Sequence, residues 1–374
     1  MFLPPISIRS LLPTIDPRLI ALAAFFLATV AGRAGEEKGR VQVVRVPGAW
    51  FLMQAQRGVD GSLHVLFDTV DGPRYVRSSD GGKNFSAPLT LVDKASQKPG
   101  LVYSTWDLAV SQDGRVHAAL GNNAWKLKLP KEEWGLFYAT LAPGAQTFAP
   151  LRNLNHKPSE GFSLAAGERG AVTAGFLSGQ LYTMASRDGG ETFSAYAELN
   201  PSLDPCKCCT TSTAYGPDGR LALLYREETN NERDIYLVLL DQRSGQQTRT
   251  RISSTPWKLE GCPMTYFTIR GTDTGYVTAW PTKGQIYFAR LNKDGAVLPP
   301  GEIKTPGTNG MRTGILALSA RDGATLIAWK NQNVLGWQLY DSKGQPDGSP
   351  GSTPSQGTGA AGVALPDGRF MLFP

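Results

Sequence analysis

The chain has 374 residues, with 38 Lys+Arg against 32 Asp+Glu and a formal charge of +6. It has no Lys/Arg block interleaved with aromatics, which speaks against nucleic acid and leaves a glycan or an acidic small molecule as the expected partner. Forty-two glycines and 26 prolines describe a turn-rich chain, and three of its four cysteines fall within four positions.

The first segment, PRLIALAAFFLATVAGRAG, carries Arg18, a 13-residue apolar run from Leu19 to Ala31, and small residues at Gly32 and Ala34. It is short for a membrane span and reads as a secretory signal peptide over residues 1–34, with an uncleaved anchor as the alternative. Its removal takes away three arginines and one aspartate, so Lys+Arg falls from 38 to 35, Asp+Glu from 32 to 31, and the charge to +4. The expected location is periplasmic or extracellular, with no membrane insertion after cleavage, in a compartment where disulfides form. Residues 35–374 are expected to form one domain, and a monomer.

From there a short unit recurs: an apolar run, a turn ending in Asp-Gly or its equivalent, and a second apolar run. It appears as VDGSLHVLF, QDGRVHAAL, ERGAVTAGF, PDGRLALLY, DTGYVTAW, RDGATLIAW and PDGRFMLF. The turn glycines are Gly61, Gly114, Gly170, Gly219, Gly275, Gly323 and Gly368, which are 45 to 56 residues apart. Glycine at a position of positive φ, preceded by Asp, is the chemistry of a tight hairpin. Two more strand-like runs follow most hairpins, such as GLFYATL then FAPLRNL, or DIYLVLL then TRTRIS. Four short strands per repeat predict an all-β fold, a β-propeller with seven blades favoured over six. The last hairpin reaches Pro374 with nothing after it, so the early run VQVVRV is expected to complete that blade and close the ring. The stretch GQPDGSPGSTPSQGTG reads as a mobile surface loop. His64 and His117 each stand three residues after a turn glycine, where side chains face a neighbouring sheet, and read as core residues rather than ligands.

Two further motifs, SSDGGKNF (Ser78, Asp80, Gly82, Phe85) and SRDGGETF (Ser186, Asp188, Gly190, Phe193), follow the third strand of their repeats. They resemble the Asp-box, or BNR repeat, of the sialidase superfamily. The first copy has Asn84 where that pattern usually has Thr. Each aspartate is expected to bond the amides of its own turn while the phenylalanine tucks under the blade, a structural device rather than a catalytic one.

The resemblance implies a propeller-centre site with three arginines for a carboxylate sugar, an Asp acid/base, and a Tyr nucleophile helped by a Glu. Arg45 in VRVP and Arg226 in LLYRE stand where two of the arginines would, and Arg312 in NGMRTG is a weaker third. The Glu position falls on Cys209 or Thr210, the Tyr position on Gly359 or Ala360, and the short segment before the first Asp-box offers only Asp68 and Asp71. A retaining glycosidase needs both nucleophile and proton donor. The expectation is therefore a propeller that binds without hydrolysing, with Arg45, Trp106, Arg226, Trp257 and Arg312 as ligand-binding candidates. The alternatives are a sialidase-type exo-acting glycoside hydrolase or a lyase using other carboxylates, or a thiolate metal-binding or redox protein.

The thiols stand in DPCKCCTTS (Cys206, Cys208, Cys209) and LEGCPM (Cys262). Cys206 and Cys262 both precede their turn glycines by 13 residues, so they occupy equivalent places in successive blades and should be neighbours. His156 lies at nearly the same offset one repeat earlier. Three chemistries remain open: a disulfide from Cys262 to one of the three, a soft metal such as copper(I) or zinc held by thiolates with His156, or thiol redox chemistry. A Cys-x-Cys-Cys run followed one blade later by Gly-Cys-Pro is similar to bacterial sialidase-like propellers, a resemblance that implies no activity.

Overall fold

The computed structural model describes residues 36–374 except 50, 95–96, 156–158 and 309–312. The expected signal peptide lies outside the described residues. Seven four-stranded sheets follow one another around a ring. The innermost strands of blades 1 to 7 are Phe51–Arg57, Tyr103–Val110, Glu160–Ala166, Ser212–Tyr215, Thr268–Thr272, Ile315–Ser319 and Ala361–Ala364. Each runs antiparallel into the next strand of its blade through the hairpin read in the sequence.

Six of the seven hairpin glycines have φ between 76° and 84°, a region that a side chain makes costly. In five of these turns the preceding aspartate accepts the backbone N–H of the residue after the glycine, at 3.0–3.1 Å. Gly275 departs from the expectation: it opens the second strand of blade 5 at ordinary φ, and the turn is made by Asp273 and Thr274. Its constraint is space, because a Cβ there would lie 2.1 Å from the Leu291 carbonyl oxygen.

Buried apolar residues fall into seven clusters, one at each interface between neighbouring blades. Phe162, Phe176 and Met184 pack on Ala119 and Tyr138 between blades 2 and 3, and Tyr276 and Trp280 pack on Leu224 and Leu237 between blades 4 and 5. The ring closes in the same way: Val41 and Val43 join Phe370 and Leu372 between blades 6 and 7, and Val44 and Val46 join Val363 and Phe373 between blades 7 and 1. Burial of this continuous apolar layer at roughly 25 cal/mol per Å² is what holds radially arranged sheets together.

Val41–Val43 pairs in parallel with the last strand, Val41 beside Phe370 and Val43 beside Leu372. A strand unmarked in the sequence, Glu36–Lys38, pairs outside it and completes the seventh blade. The Gly/Pro/Ser-rich stretch read as a loop contributes Gly351–Pro354, the outer strand of blade 6, paired to Val334–Trp337. An outer strand has one neighbour and needs little apolar content, which is why propensity passed over it. No helix among the described residues is long and apolar enough to cross a membrane.

The two serine-aspartate turns make matching hydrogen bonds. Asp80 accepts the Asn84 backbone N–H at 2.9 Å and its side-chain amide at 2.7 Å; Asp188 accepts the Thr192 backbone N–H at 2.9 Å and its hydroxyl at 2.5 Å. Ser78 and Ser186 each accept the N–H of the glycine four residues on, Gly82 and Gly190. Phe85 meets Phe373 edge-on, and Phe193 meets Tyr138.

Candidate functional site

The connections that lead into the innermost strands of blades 3, 4 and 5 meet a long insertion in blade 2, residues 123–136, between its second and third strands. Together they enclose a groove of about 920 Å³. The insertion is pinned by asparagines. Asn123 accepts the Val102 N–H at 2.8 Å and donates to the Gly100 carbonyl at 3.0 Å, while Asn153 donates to the carbonyls of Glu132 and Trp134. This framework presents Trp125, whose side chain is exposed under the Lys126 ammonium, and Trp134, whose indole donates to the Leu129 carbonyl. Trp106 and Phe162 meet edge-on in the groove, and Tyr266 and Met264 reach it from blade 5. Trp106 lies against Gly121, where a Cβ would come within 2.4 Å of the indole nitrogen. Polar groups between the aromatics are Asn122, Asn123, Lys126, Lys207, Ser104 and Thr210, and among the described lining residues Glu160 is the one carboxylate.

The groove adjoins a cavity of about 80 Å³ on the propeller axis, where Asp107 of blade 2, Arg270 of blade 5 and Gln54 of blade 1 converge. Arg270 donates to the Gln54 side-chain oxygen at 2.8 Å. Asp107 accepts the backbone N–H groups of Leu164 and Leu108, yet burial raises its carboxyl to about 6, opposed by the charge of Arg270. Nothing in the repeat marked these three residues; the inner-strand position of Asp107, directly after Trp106, was the available signal.

All four thiols come together between blades 4 and 5. Cys208 and Cys262 form a disulfide with Cα atoms 6.5 Å apart, within the usual range. The expected partnering of Cys262 with one of the three is thus met by Cys208. Cys206 and Cys209, a Cys-x-x-Cys pair, are free and buried with Sγ atoms 2.6 Å apart, and the Cys206 Sγ is 3.8 Å from that of Cys262. Cys208 and Cys209 line the groove. The Cys209 S–H donates to Cys206 and holds its thiol down at about 7 against burial, with Arg233 and Arg226 assisting; the same bond and burial push Cys209 far up.

Of the five ligand-binding candidates, Trp106 lines the groove. Arg226 does not: it is 1% exposed, donates to the carbonyls of Arg233 and Pro281 and to the Thr265 hydroxyl, and stacks on Trp257, itself buried. The adjacent carboxylate, Glu227, bonds Arg249 and Tyr225 instead. Arg45 is exposed and donates to the Pro354 carbonyl, away from the residues that line the groove. Arg312 and His156 lie outside the described residues. His64 and His117 are buried, each bonded between a serine and a tyrosine.

Neither a protein-family pattern nor a curated protein sequence matches the chain. Solved structures do resemble it. A chain of a mitotic checkpoint complex is 15% identical with a TM-score of 0.53, over 98% of this chain and 93% of that one. An ulvan lyase of a new polysaccharide lyase family, bound to -[GlcA(1-4)Rha3S]-, is 12% identical with a TM-score of 0.52, over 90% and 89%. A protein from Lactobacillus plantarum is 12% identical with a TM-score of 0.51, over 82% and 86%. At these identities the likeness concerns the fold alone; the seven four-stranded sheets define the class, a seven-bladed β-propeller, and fold does not carry function.

Proposed function

We propose that the chain is an exported, sialidase-like propeller that binds a glycan in the blade 2–5 groove without hydrolysing it. The observation that carries this reading is the groove itself: Trp106, Trp125, Trp134 and Tyr266 offer flat apolar faces, and amides, hydroxyls and ammonium groups stand between them. Sugars present C–H faces and a rim of hydroxyls, which this alternation matches better than a uniformly apolar pocket would. Lys126 and Lys207 against the single carboxylate Glu160 favour a neutral or acidic glycan. That preference rests on lysines and not on the expected arginine trio. Glu160 is the one carboxylate among the described residues lining the groove itself, whereas a retaining glycosidase places a pair at the scissile bond. The similar ulvan lyase acts on a polysaccharide, which is compatible with this reading and adds only that the fold accommodates such ligands.

Glycan-array screening followed by calorimetry on the best ligand is the test. Trp125→Ala is expected to weaken binding by about tenfold, the loss of one stacking face worth about 1.4 kcal/mol, and a fluorogenic sialoside should remain uncleaved. Undiminished affinity in Trp125→Ala together with Trp106→Ala, or turnover of the sialoside, would overturn the reading.

A further inference from the structure

The sulfur arrangement exceeds what a structural bridge requires. Cys208–Cys262 alone ties blades 4 and 5, yet two more thiols sit against it in an unbroken line: Cys209, Cys206, then Cys262. Burial differs within the cluster: Cys208 and Cys262 are half-buried, Cys206 is fully buried, and Cys208 and Cys209 border the groove.

A second, independent observation concerns charge. Arg226 is a fully buried guanidinium with no carboxylate partner, and its Nε finds no hydrogen bond among the described residues. The acidic groups around it are engaged elsewhere: Glu228 with Arg233, Asp234 with Arg251, and Glu227 with Arg249. The opposing charges that act on Arg226 are foremost those of Cys209 and Cys206, then that of Asp234, and their attraction works against the burial that weakens its hold on a proton. A buried, unpaired cation is costly unless something neutralises it, and a thiolate beside it becomes the stable form.

We propose that these four cysteines are a thiol–disulfide exchange site, in which the disulfide moves between the half-buried pair Cys208–Cys262 and the buried pair Cys206–Cys209. The Cys206 thiolate attacks the Cys262 Sγ. The Cys206–Cys262 bond forms, the Cys208–Cys262 bond breaks, and Cys208 leaves as a thiolate that takes a proton from water. Cys209 then gives up its proton to water and attacks the Cys206 Sγ, forming Cys206–Cys209 and expelling Cys262, which is protonated in turn. Two thiols and one disulfide stand on each side, so the migration needs no outside oxidant. With the bond moved inward, Cys208 can attack a substrate disulfide at the groove. Cys262 resolves the mixed disulfide and releases a substrate dithiol, and a donor dithiol returns the two electrons. Attack through a mixed disulfide is how all such exchange proceeds.

The experiment uses the full chain equilibrated in buffers of reduced and oxidised glutathione, quenched in acid, alkylated and mapped by mass spectrometry. The one-disulfide protein should contain both Cys208–Cys262 and Cys206–Cys209, and Cys209→Ser or Cys209→Ala should accumulate Cys206–Cys262. Cys208–Cys262 as the sole linkage at every glutathione ratio, with no Cys206–Cys262 in either Cys209 variant, would overturn the proposal. So would purified protein carrying one zinc or copper per chain with all four thiols protected from alkylation until a chelator is added.

Discussion

His64 and His117 stand at one offset from their hairpin glycines, and Cys206 and Cys262 stand at another, but equivalence in the repeat has different consequences for the two pairs. Each histidine is clasped between a serine and a tyrosine at matching distances, 2.7 and 2.6 Å in blade 1 and 2.6 and 2.6 Å in blade 2. The cysteines are neighbours, yet one is a free buried thiol and the other half of a disulfide to a third residue. The histidines lie inside strands, where the ladder determines which neighbours a side chain can meet. The cysteines lie on connections between blades. There the Cys206 N–H bonds to the Arg226 carbonyl, whereas Cys262 follows Gly261 at φ 103° and precedes Pro263, so only approximate proximity is inherited.

The largest test of this contrast is to remove the two cysteines separately. Cys262→Ser deletes a bridge spanning 54 residues, and in urea denaturation it should cost about 4 kcal/mol by the chain-entropy relation. Cys206→Ser keeps the bridge and should cost about 2 kcal/mol for a buried hydroxyl in an apolar layer. Reductant should bring the wild type down to the Cys262→Ser level. Equal losses for the two variants would show that repeat position, and not bonding, determines their contribution.

The histidines should instead behave alike. Burial holds both rings down at about 4 against an ordinary 6.5. A base whose folded pKa is depressed gives stability that is complete above 6.5 and is lost as pH falls towards 4, by about 3 kcal/mol for each ring. Asp68 and Asp107, raised to about 6 from 3.8 by burial, act oppositely: their contribution is complete below 3.8 and lost as pH rises through 6. The wild type should therefore show a shallow stability profile between pH 4 and 6.5. The stability gap between it and His117→Gln should narrow by about 3 kcal/mol on going from pH 7 to 4, and His64→Gln should follow the same curve. A profile for His117→Gln parallel to that of the wild type would mean that the ring takes up its proton at the same pH in the folded and unfolded states, so that burial does not shift it.

Legibility in the sequence followed the same division. The hairpin turns, the seven-blade count and closure by VQVVRV could be read because Asp-Gly turns and period-2 strands are local signals. Glu36–Lys38 and Gly351–Pro354 could not, since outer strands carry little pattern. On the connections, the meeting of Cys262 with the triple-cysteine run was readable from the period, but the choice of Cys208 was not. Arg226 looked like a ligand-binding arginine, yet whether a strand-end side chain turns outward or beneath the next blade depends on packing with Trp257, which is distant in sequence. The groove wall went unread although GNNAWKLKLPKEEWG shows two tryptophans in the longest gap between a second and a third strand.

The smallest effect separates sequence identity from structural role in the two serine-aspartate turns. Asn84 and Thr192 occupy the same place in their copies, and each satisfies both oxygens of its aspartate, one through the backbone N–H and one through the side chain. These bonds hold the Asp80 carboxyl at about 2, and Asp188 is held low by the corresponding ones. If the slot asks only for a side-chain donor at that reach, Asn84→Thr should shift Tm by less than about 2 °C. Asn84→Ala removes the donor and should lower Tm by more than that, with the loss shrinking in acid as Asp80 is protonated between pH 3.8 and about 2. Differential scanning calorimetry of the two variants at pH 7 and at pH 2 decides the matter: equal shifts for threonine and alanine would mean that the side chain at position 84 adds nothing and that the backbone N–H of that residue and the Ser78 hydroxyl suffice to hold Asp80.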